Sequence, residues 1–332
     1  MYSQTRRRFA SRLALLALGV GPGVTALSRA AGAQGYPSRP VRVVVPAAAG
    51  GALDVIARLL AQKIGESWKQ QLYVDNKPGA NWIIGMDAVA KSPPDGYTLL
   101  VVASSGLTVN PYVFPNMPLD PLAELTPVTI ATRTSFVLVV NPSIPAKTLP
   151  EFIAHLRANP GKLNHASNSA TTMLASELFK MRAGVDYLDV NFRGASQALL
   201  ATQSGTTDFC FVDLGSATPA IDGKLLRPLA ITSPTRYELA PDIPTLAEQG
   251  LPGYSVTSMT LLFAPANTPA DILDKLNAAA QQALESPEVS GKLRAIGQAV
   301  SGGSRAQAAE ALRSEAQQWK KLISERNIKL AR

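Results

Sequence analysis

The chain lacks most of the residues that enzymes and disulfide-stapled proteins depend on. Its 332 residues include one cysteine, Cys210, so no intrachain disulfide, C-x-x-C pair or thiolate zinc cluster can form. Cys210 lies in Asp208-Phe209-Cys210-Phe211-Val212, which reads as a buried strand where the thiol is a small apolar filler. Histidine is nearly as scarce, with only His155 and His165. His155 falls off the apolar stripe Leu149, Phe152, Ile153 and Leu156. His165 ends a strand, and a packing or rim position is expected of it ahead of catalysis. No H-E-x-x-H helix and no G-x-S-x-G elbow occurs; Gly194-Ala195-Ser196-Gln197-Ala198 is a near miss without an assigned base. No catalytic residue, metal site or cofactor is therefore expected. Aromatic residues make up 6% and are not interleaved with a dense Lys/Arg block, so a nucleic-acid partner is not expected. No apolar run reaches the roughly 20 residues of a membrane-spanning helix.

What is present begins with an export signal. Arg6, Arg7, Arg8 and Arg12 stand without an acid among them, followed by an apolar run from about Leu13 to Leu27 and by Ala31-Gly32-Ala33. These are the basic, apolar and small-x-small parts of a cleavable secretory signal over residues 1–33. Thr5-Arg6-Arg7-Arg8-Phe9 also fits a twin-arginine pattern, so the Sec and Tat routes both stay open. No cysteine stands at the cleavage site, which excludes a bacterial lipid anchor on cysteine. The expected location is periplasmic. Removing the signal leaves 299 residues and takes five arginines and no acid from a formal charge of +8, leaving +3. That small surplus favours anionic ligands only mildly, and a chain of this size can bury two lobes.

The remainder alternates β-branched runs with helical patterns. Val41–Val45 reads as a strand stopped by Pro46, which cannot continue a paired central strand. Gly50-Gly51 then leads into a helix from Asp54 to Ile64 with apolar residues at 55, 56, 59, 60 and 64. Further strands are expected at 97–103, 136–140, 187–192, 208–212 and 228–232. Helix starts are expected at Thr148 and Thr268, each with an acid three positions on, and at Ser304. In the last helix Ala308, Leu312, Ala316, Trp319 and Ile323 form one core-facing stripe. Alternating strands and helices argue for α/β architecture with parallel sheets. The apolar segments Phe136–Val140 and Thr260–Phe263 are candidates for interdomain crossings.

Tyr36-Pro37-Ser38-Arg39-Pro40-Val41-Arg42 resembles the mature start of Bug-type substrate-binding proteins of tripartite tricarboxylate transporters. Asn76-Lys77-Pro78-Gly79-Ala80, Pro94-Asp95-Gly96-Tyr97-Thr98-Leu99-Leu100, Leu163-Asn164-His165-Ala166-Ser167, Phe192-Arg193-Gly194, Pro241-Asp242-Ile243-Pro244-Thr245, Gly250-Leu251-Pro252-Gly253-Tyr254 and Phe263-Ala264-Pro265-Ala266 agree in order and spacing. Each piece is weak; the collinear series, spanning nearly all of the mature chain, is specific. The resemblance implies a two-lobed periplasmic binding fold (type II-like), two doubly wound domains joined by crossing strands. Lobe 1 would hold 34–136 and 253–332, and lobe 2 would hold 137–252. It further implies a monomer that captures a small organic carboxylate for a pair of membrane permease subunits. The alternative is a periplasmic partner of a membrane sensor kinase; an exported hydrolase is remote.

Donor-rich turns are where such a receptor would hold an anion. Gly50 and Gly51, with Ala49 before them, form the first candidate loop. Asp54, at the helix start, is either a cap or a contact for a ligand ammonium. Ser104 and Ser105 follow a strand end, where open α/β sheets bind ligands. Ser167, Asn168, Ser169 and Thr171 would form the second lobe's donor loop, or a helix cap, or both. Arg193, beside Gly194, could fork onto a carboxylate. Asp213 is either a cap or, as the resemblance implies, a holder of bridging waters.

Departures from the family pattern bear on specificity. The first loop reads Ala47-Ala48-Ala49-Gly50-Gly51-Ala52-Leu53-Asp54, losing an aromatic, a glycine and a hydroxyl. After Ala80, where relatives continue with glycines, the chain has Asn81-Trp82-Ile83-Ile84. The Ser167 loop is two residues short, and Met259 replaces a common tryptophan. These changes remove donors while Trp82 supplies an aromatic wall, so a less polar, bulky or aromatic acid is expected.

Overall fold

The computed structural model describes residues 35–114, 116–192 and 194–326. The export signal at 1–33 and Arg193 lie outside them. Among the described residues ten strands form: β1 Val41–Val45, β2 Leu72–Asn76, β3 Thr98–Ala103, β4 Leu125–Val140, β5 Asn164–Ser167, β6 Leu188–Asn191, β7 Phe209–Asp213, β8 Arg227–Ile231, β9 Thr257–Pro265 and β10 Ala299–Gly302.

They make two sheets that share one long strand. In the first, β1 pairs in parallel with β2 and β3, β3 pairs antiparallel with β9, and β9 and β10 both pair antiparallel with the first part of β4. In the second, β5 pairs in parallel with β6 and β7, and Phe136–Val140 of β4 pairs antiparallel with β7 and β8. The sheets are mixed rather than purely parallel, because the strands that cross between them run against their neighbours. β4 changes sheet between Ser135 and Phe136. The fully buried Thr232 ties this crossing to the return segment: its hydroxyl accepts from Phe136 N (2.9 Å) and donates to Val256 O (2.6 Å). This is a two-lobed α/β binding fold with doubly wound lobes joined by crossing strands.

The helices form where their caps and apolar faces place them. Helix Ala52–Trp68 buries Ile56, Ala57, Leu60, Ala61 and Ile64 against β1 and β3. This face is rotated slightly from the expected one, with Ala57 and Ala61 buried and Val55 and Leu59 half-buried. Helix Leu149–Ala158 starts as its capping sequence indicates, with Thr148 Oγ1 accepting from Glu151 N and Glu151 accepting from Lys147 N. Thr268 does not cap. Its hydroxyl donates back to Pro265 O (2.8 Å), and the helix Ala270–Glu285 begins after Pro269 without a side-chain cap.

The last helix, Arg305–Arg326, opens on a reciprocal Ser304–Gln307 box. Ala308 and Leu312 join the core beside the first sheet, whereas Trp319, Leu322 and Ile323 join the core beside the second. One helix therefore packs on both halves of the fold. The lone thiol of Cys210 is buried as a filler, and that burial pushes it up to about 12. His165 is fully buried among Tyr187, Phe209 and Phe211. Its Nε2 accepts from Phe211 N, and its Nδ1 lies 3.3 Å from Asp189 Oδ2. This is a packing role. Among the described residues no helix is long and apolar enough to cross a membrane, and no His/Cys/Asp/Glu cluster could hold a metal ion.

Candidate functional site

A cleft of about 900 Å³ opens at the C-terminal ends of the parallel strands of both sheets. From the first sheet it receives Gly50, Ala52 and Leu53 after β1, and Ser105 after β3. From the second it receives Asn168, Ser169, Ala170 and Thr171 after β5, Phe192 after β6, and Asp213, Gly215 and Ser216 after β7. The crossing strands supply the floor, with Thr134 of β4 opposite Ser258 of β9, and Thr260 one step on. Strand ends facing each other across a switch between two sheets are the general ligand position in open α/β folds, and this volume lies within the usual range for small-molecule sites.

The lining suits an anion held by dipoles rather than by fixed charge. Asp213 is the only ionisable residue among the described lining, and its Oδ1 accepts from Ser216 N (2.9 Å) as the cap of helix Leu214–Asp222. Helix Ala170–Ala183 starts with a capping box: Ser169 Oγ accepts from Thr172 N, while Thr172 Oγ1 accepts from Ser169 N and Asn168 N. Those bonds leave the N–H groups of Ala170 and Thr171 for a ligand, at the positive end of the helix dipole. The buried Oδ1 of Asn168 has no partner among the described residues. Across the cleft, helix Ala52–Trp68 has Gly51 at its N-cap and no side-chain cap. Gly50 stands at φ 86°, a conformation glycine adopts without a Cβ penalty.

The structure separates the sequence-derived candidates into two groups. Gly50, Ser105, Asn168, Ser169, Thr171 and Asp213 line the cleft. Ala49, Gly51 and Gly194 do not, although Gly51 and Gly194 are helix N-caps beside it. Asp54 is placed beneath the first loop, not at its surface. One oxygen accepts from Gly50 N and Arg58 Nε (both 2.9 Å), and the other accepts from Asn76 Nδ2 (3.0 Å). Asn76 Nδ2 also donates to Ala47 O. Arg58 first, then Gly50 and Asn76, hold this carboxyl at about 2. Both oxygens are engaged within the protein, and Asp54 clasps the loop from beneath.

Ser104 turns inward as well. Its hydroxyl donates to Glu315 Oε1 (3.0 Å) and accepts from Met259 N (3.3 Å). Ser167 is 2% exposed and outside the lining.

Sequence reasoning missed the polar floor and the edge formed by Ala295, Ile296 and Gln298. The floor had a signal, since Ser258 and Thr260 are polar residues two apart on a strand that is apolar from Leu261 onward. The edge had none, being a loop brought in by the Gly215–Gly297 approach. A Cβ on Gly215 would meet Ile296 O at 2.5 Å. Trp82 does line the cleft, joined by Asn81, Asn110, Phe114 and Phe136.

Comparisons with known proteins bear on the family and the fold. Residues 56–328 match the family model described as "Tripartite tricarboxylate transporter family receptor". A curated relative from Pseudomonas sp. (strain P51), the UPF0065 protein in the tcbD-tcbE intergenic region, is 38% identical over 304 residues, covering 91% of this chain and 90% of its own. A solved periplasmic transporter is 37% identical, with a TM-score of 0.77 over 89% of this chain and all 100% of its own. The R. palustris protein Rpa4515, solved with adipate, is 32% identical with a TM-score of 0.77, covering 87% of this chain and 97% of its own.

Proposed function

Because the chain belongs to the tripartite tricarboxylate transporter receptor family, we propose that it is a periplasmic receptor that captures a small organic carboxylate and hands it to membrane permease subunits. The observation that carries this reading is the convergence of strand ends from both sheets, with open helix N-termini, on one cleft. Backbone N–H groups and hydroxyls can neutralise a carboxylate without a buried cation. The adipate held by Rpa4515 supports an acid as the ligand class.

In this reading residues 34–136 and 253–332 form lobe 1 and residues 137–252 form lobe 2. The lobes close on the ligand about the β4 crossing and the Val256–Thr257 return. Thr171, Ser169 and Asn168 act from lobe 2; Ser105 and the Gly50 loop act from lobe 1. Asp213 holds water against the ligand, and Arg193, outside the described residues, is the charged contact that the family resemblance implies. Residues 1–33 direct export. The chain acts as a carrier and releases its acid unchanged, so no turnover is expected.

A thermal-shift screen of residues 34–332 against small organic acids tests this. A true ligand at about 100 times its Kd stabilises the folded state by roughly 2.7 kcal/mol. A clear shift with at least one acid is expected. A flat response across mono-, di- and tricarboxylates, or chemical conversion of a bound acid, refutes the reading.

A further inference from the structure

The backbone ahead of helix Ile83–Ala90 is unusual. Ala80, Asn81 and Trp82 stand in succession at φ 46°, 48° and 74°, after Gly79 at 133°. L-residues other than glycine rarely occupy this region, and three in a row carry a conformational cost. The chain follows a left-handed path here and places a large indole on it. Strain retained at a cleft marks a position whose side chain has work to do there.

The surroundings hold that indole in place. Asn110 Nδ2 donates to Asn81 O (2.8 Å), fixing the turn against the segment that leads to Phe114. A Cβ on Gly106 would lie 3.2 Å from Trp82 Cε3 and 3.2 Å from Met86 Sδ, so the bare glycine leaves the space the ring rests in. Trp82 and Phe114 both line the cleft, and Asn110 is committed to the turn between them. The one ionisable residue among the described cleft lining is an acid, Asp213, so a second carboxylate on a ligand adds repulsion there.

We propose that Trp82 is a specificity-determining residue, forming with Phe114 an apolar aromatic wall that selects an acid with a flat aryl body over an aliphatic dicarboxylate. The carboxylate lies at the helix N-terminus after β5, and the ring of the acid packs against the indole. This rests on the receptor reading above.

The test is isothermal titration of residues 34–332 with benzoate, phenylacetate, succinate and adipate, repeated on Trp82→Gly and Trp82→Phe. Trp82→Gly relieves the left-handed backbone but gives up the ring's packing over Gly106, so a thermal melt of each variant beside its titration separates lost binding from lost folding. The wild type should bind at least one aryl acid more tightly than either dicarboxylate. Trp82→Gly should weaken that aryl acid by roughly tenfold, the scale of one aromatic contact, with less effect on any dicarboxylate, and Trp82→Phe should recover most of the loss. Tighter binding of succinate or adipate, or equal losses for both classes in Trp82→Gly, overturns the proposal and leaves the receptor reading intact. If none of the four acids binds, the proposal falls on its own terms; only a flat response in the wider acid screen brings down the receptor reading with it.

Discussion

Glu315 offers a sharp test of how the two halves of the fold are joined. It sits on the last helix between Leu312, in one core, and Trp319, in the other. Its Oε1 accepts from Ser104 Oγ (3.0 Å) and Trp319 Nε1 (3.1 Å), while Oε2 is shut off from solvent without a partner among the described residues. Desolvation by burial outweighs these bonds and the nearby Arg133, and raises the carboxyl from its ordinary 4.5 to about 7. Such a displacement corresponds to about 3 kcal/mol between the two protonation states.

The sign follows from which state holds the proton. Between pH 4.5 and 7 the unfolded chain has released it and the folded protein has not, so stability falls with rising pH, then levels off above 7. Glu315→Gln mimics the protonated acid and cannot titrate. Urea unfolding followed by circular dichroism at several pH values from 4.5 to 8 should show the variant gaining up to about 3 kcal/mol relative to wild type across that window. Parallel pH profiles for the two proteins would refute the buried-carboxyl reasoning.

Two further perturbations probe the scaffold under the cleft. Asp54→Asn should cost about 2 kcal/mol at pH 7, since the folded carboxyl is held at about 2 against an ordinary 3.8. That stability is present above pH 3.8 and lost as the pH falls through 2, so denaturant unfolding should show the gap narrowing on acidification. Gly215→Ala pushes a methyl group onto Ile296 O at 2.5 Å. It should destabilise by about 1–3 kcal/mol in a thermal melt, and an unchanged melt would mean that the Gly215–Gly297 approach is loose.

Much of the fold was legible because β-branched runs and capping residues speak locally. β1, β3 and β7 lie within a residue of where the sequence placed them. β2 and β10 were not visible: Leu72–Asn76 is a half-exposed edge with mixed polarity, and Ala299–Gly302 consists of small residues. β4 runs for 16 residues rather than the five expected, because Pro127 is absorbed at a register shift against β9. At the site, spacing brought the right loops together but could not orient neighbours within them. Ser105 faces the cleft while Ser104 faces Glu315, a distinction set by the helix-to-core contact and not by either serine. Asp54 illustrates the same limit, since its three partners come from the loop, its own helix and β2.

The receptor site itself is tested most directly by a crystal structure of residues 34–332 grown with an acid that stabilises the protein. Its carboxylate should lie in the cleft, within hydrogen-bond reach of the N–H groups of Ala170 and Thr171 and of a hydroxyl from Ser105 or Ser169. An acid seated elsewhere on the protein, or one in the cleft with its carboxylate turned away from both helix N-termini, would contradict the proposed capture site.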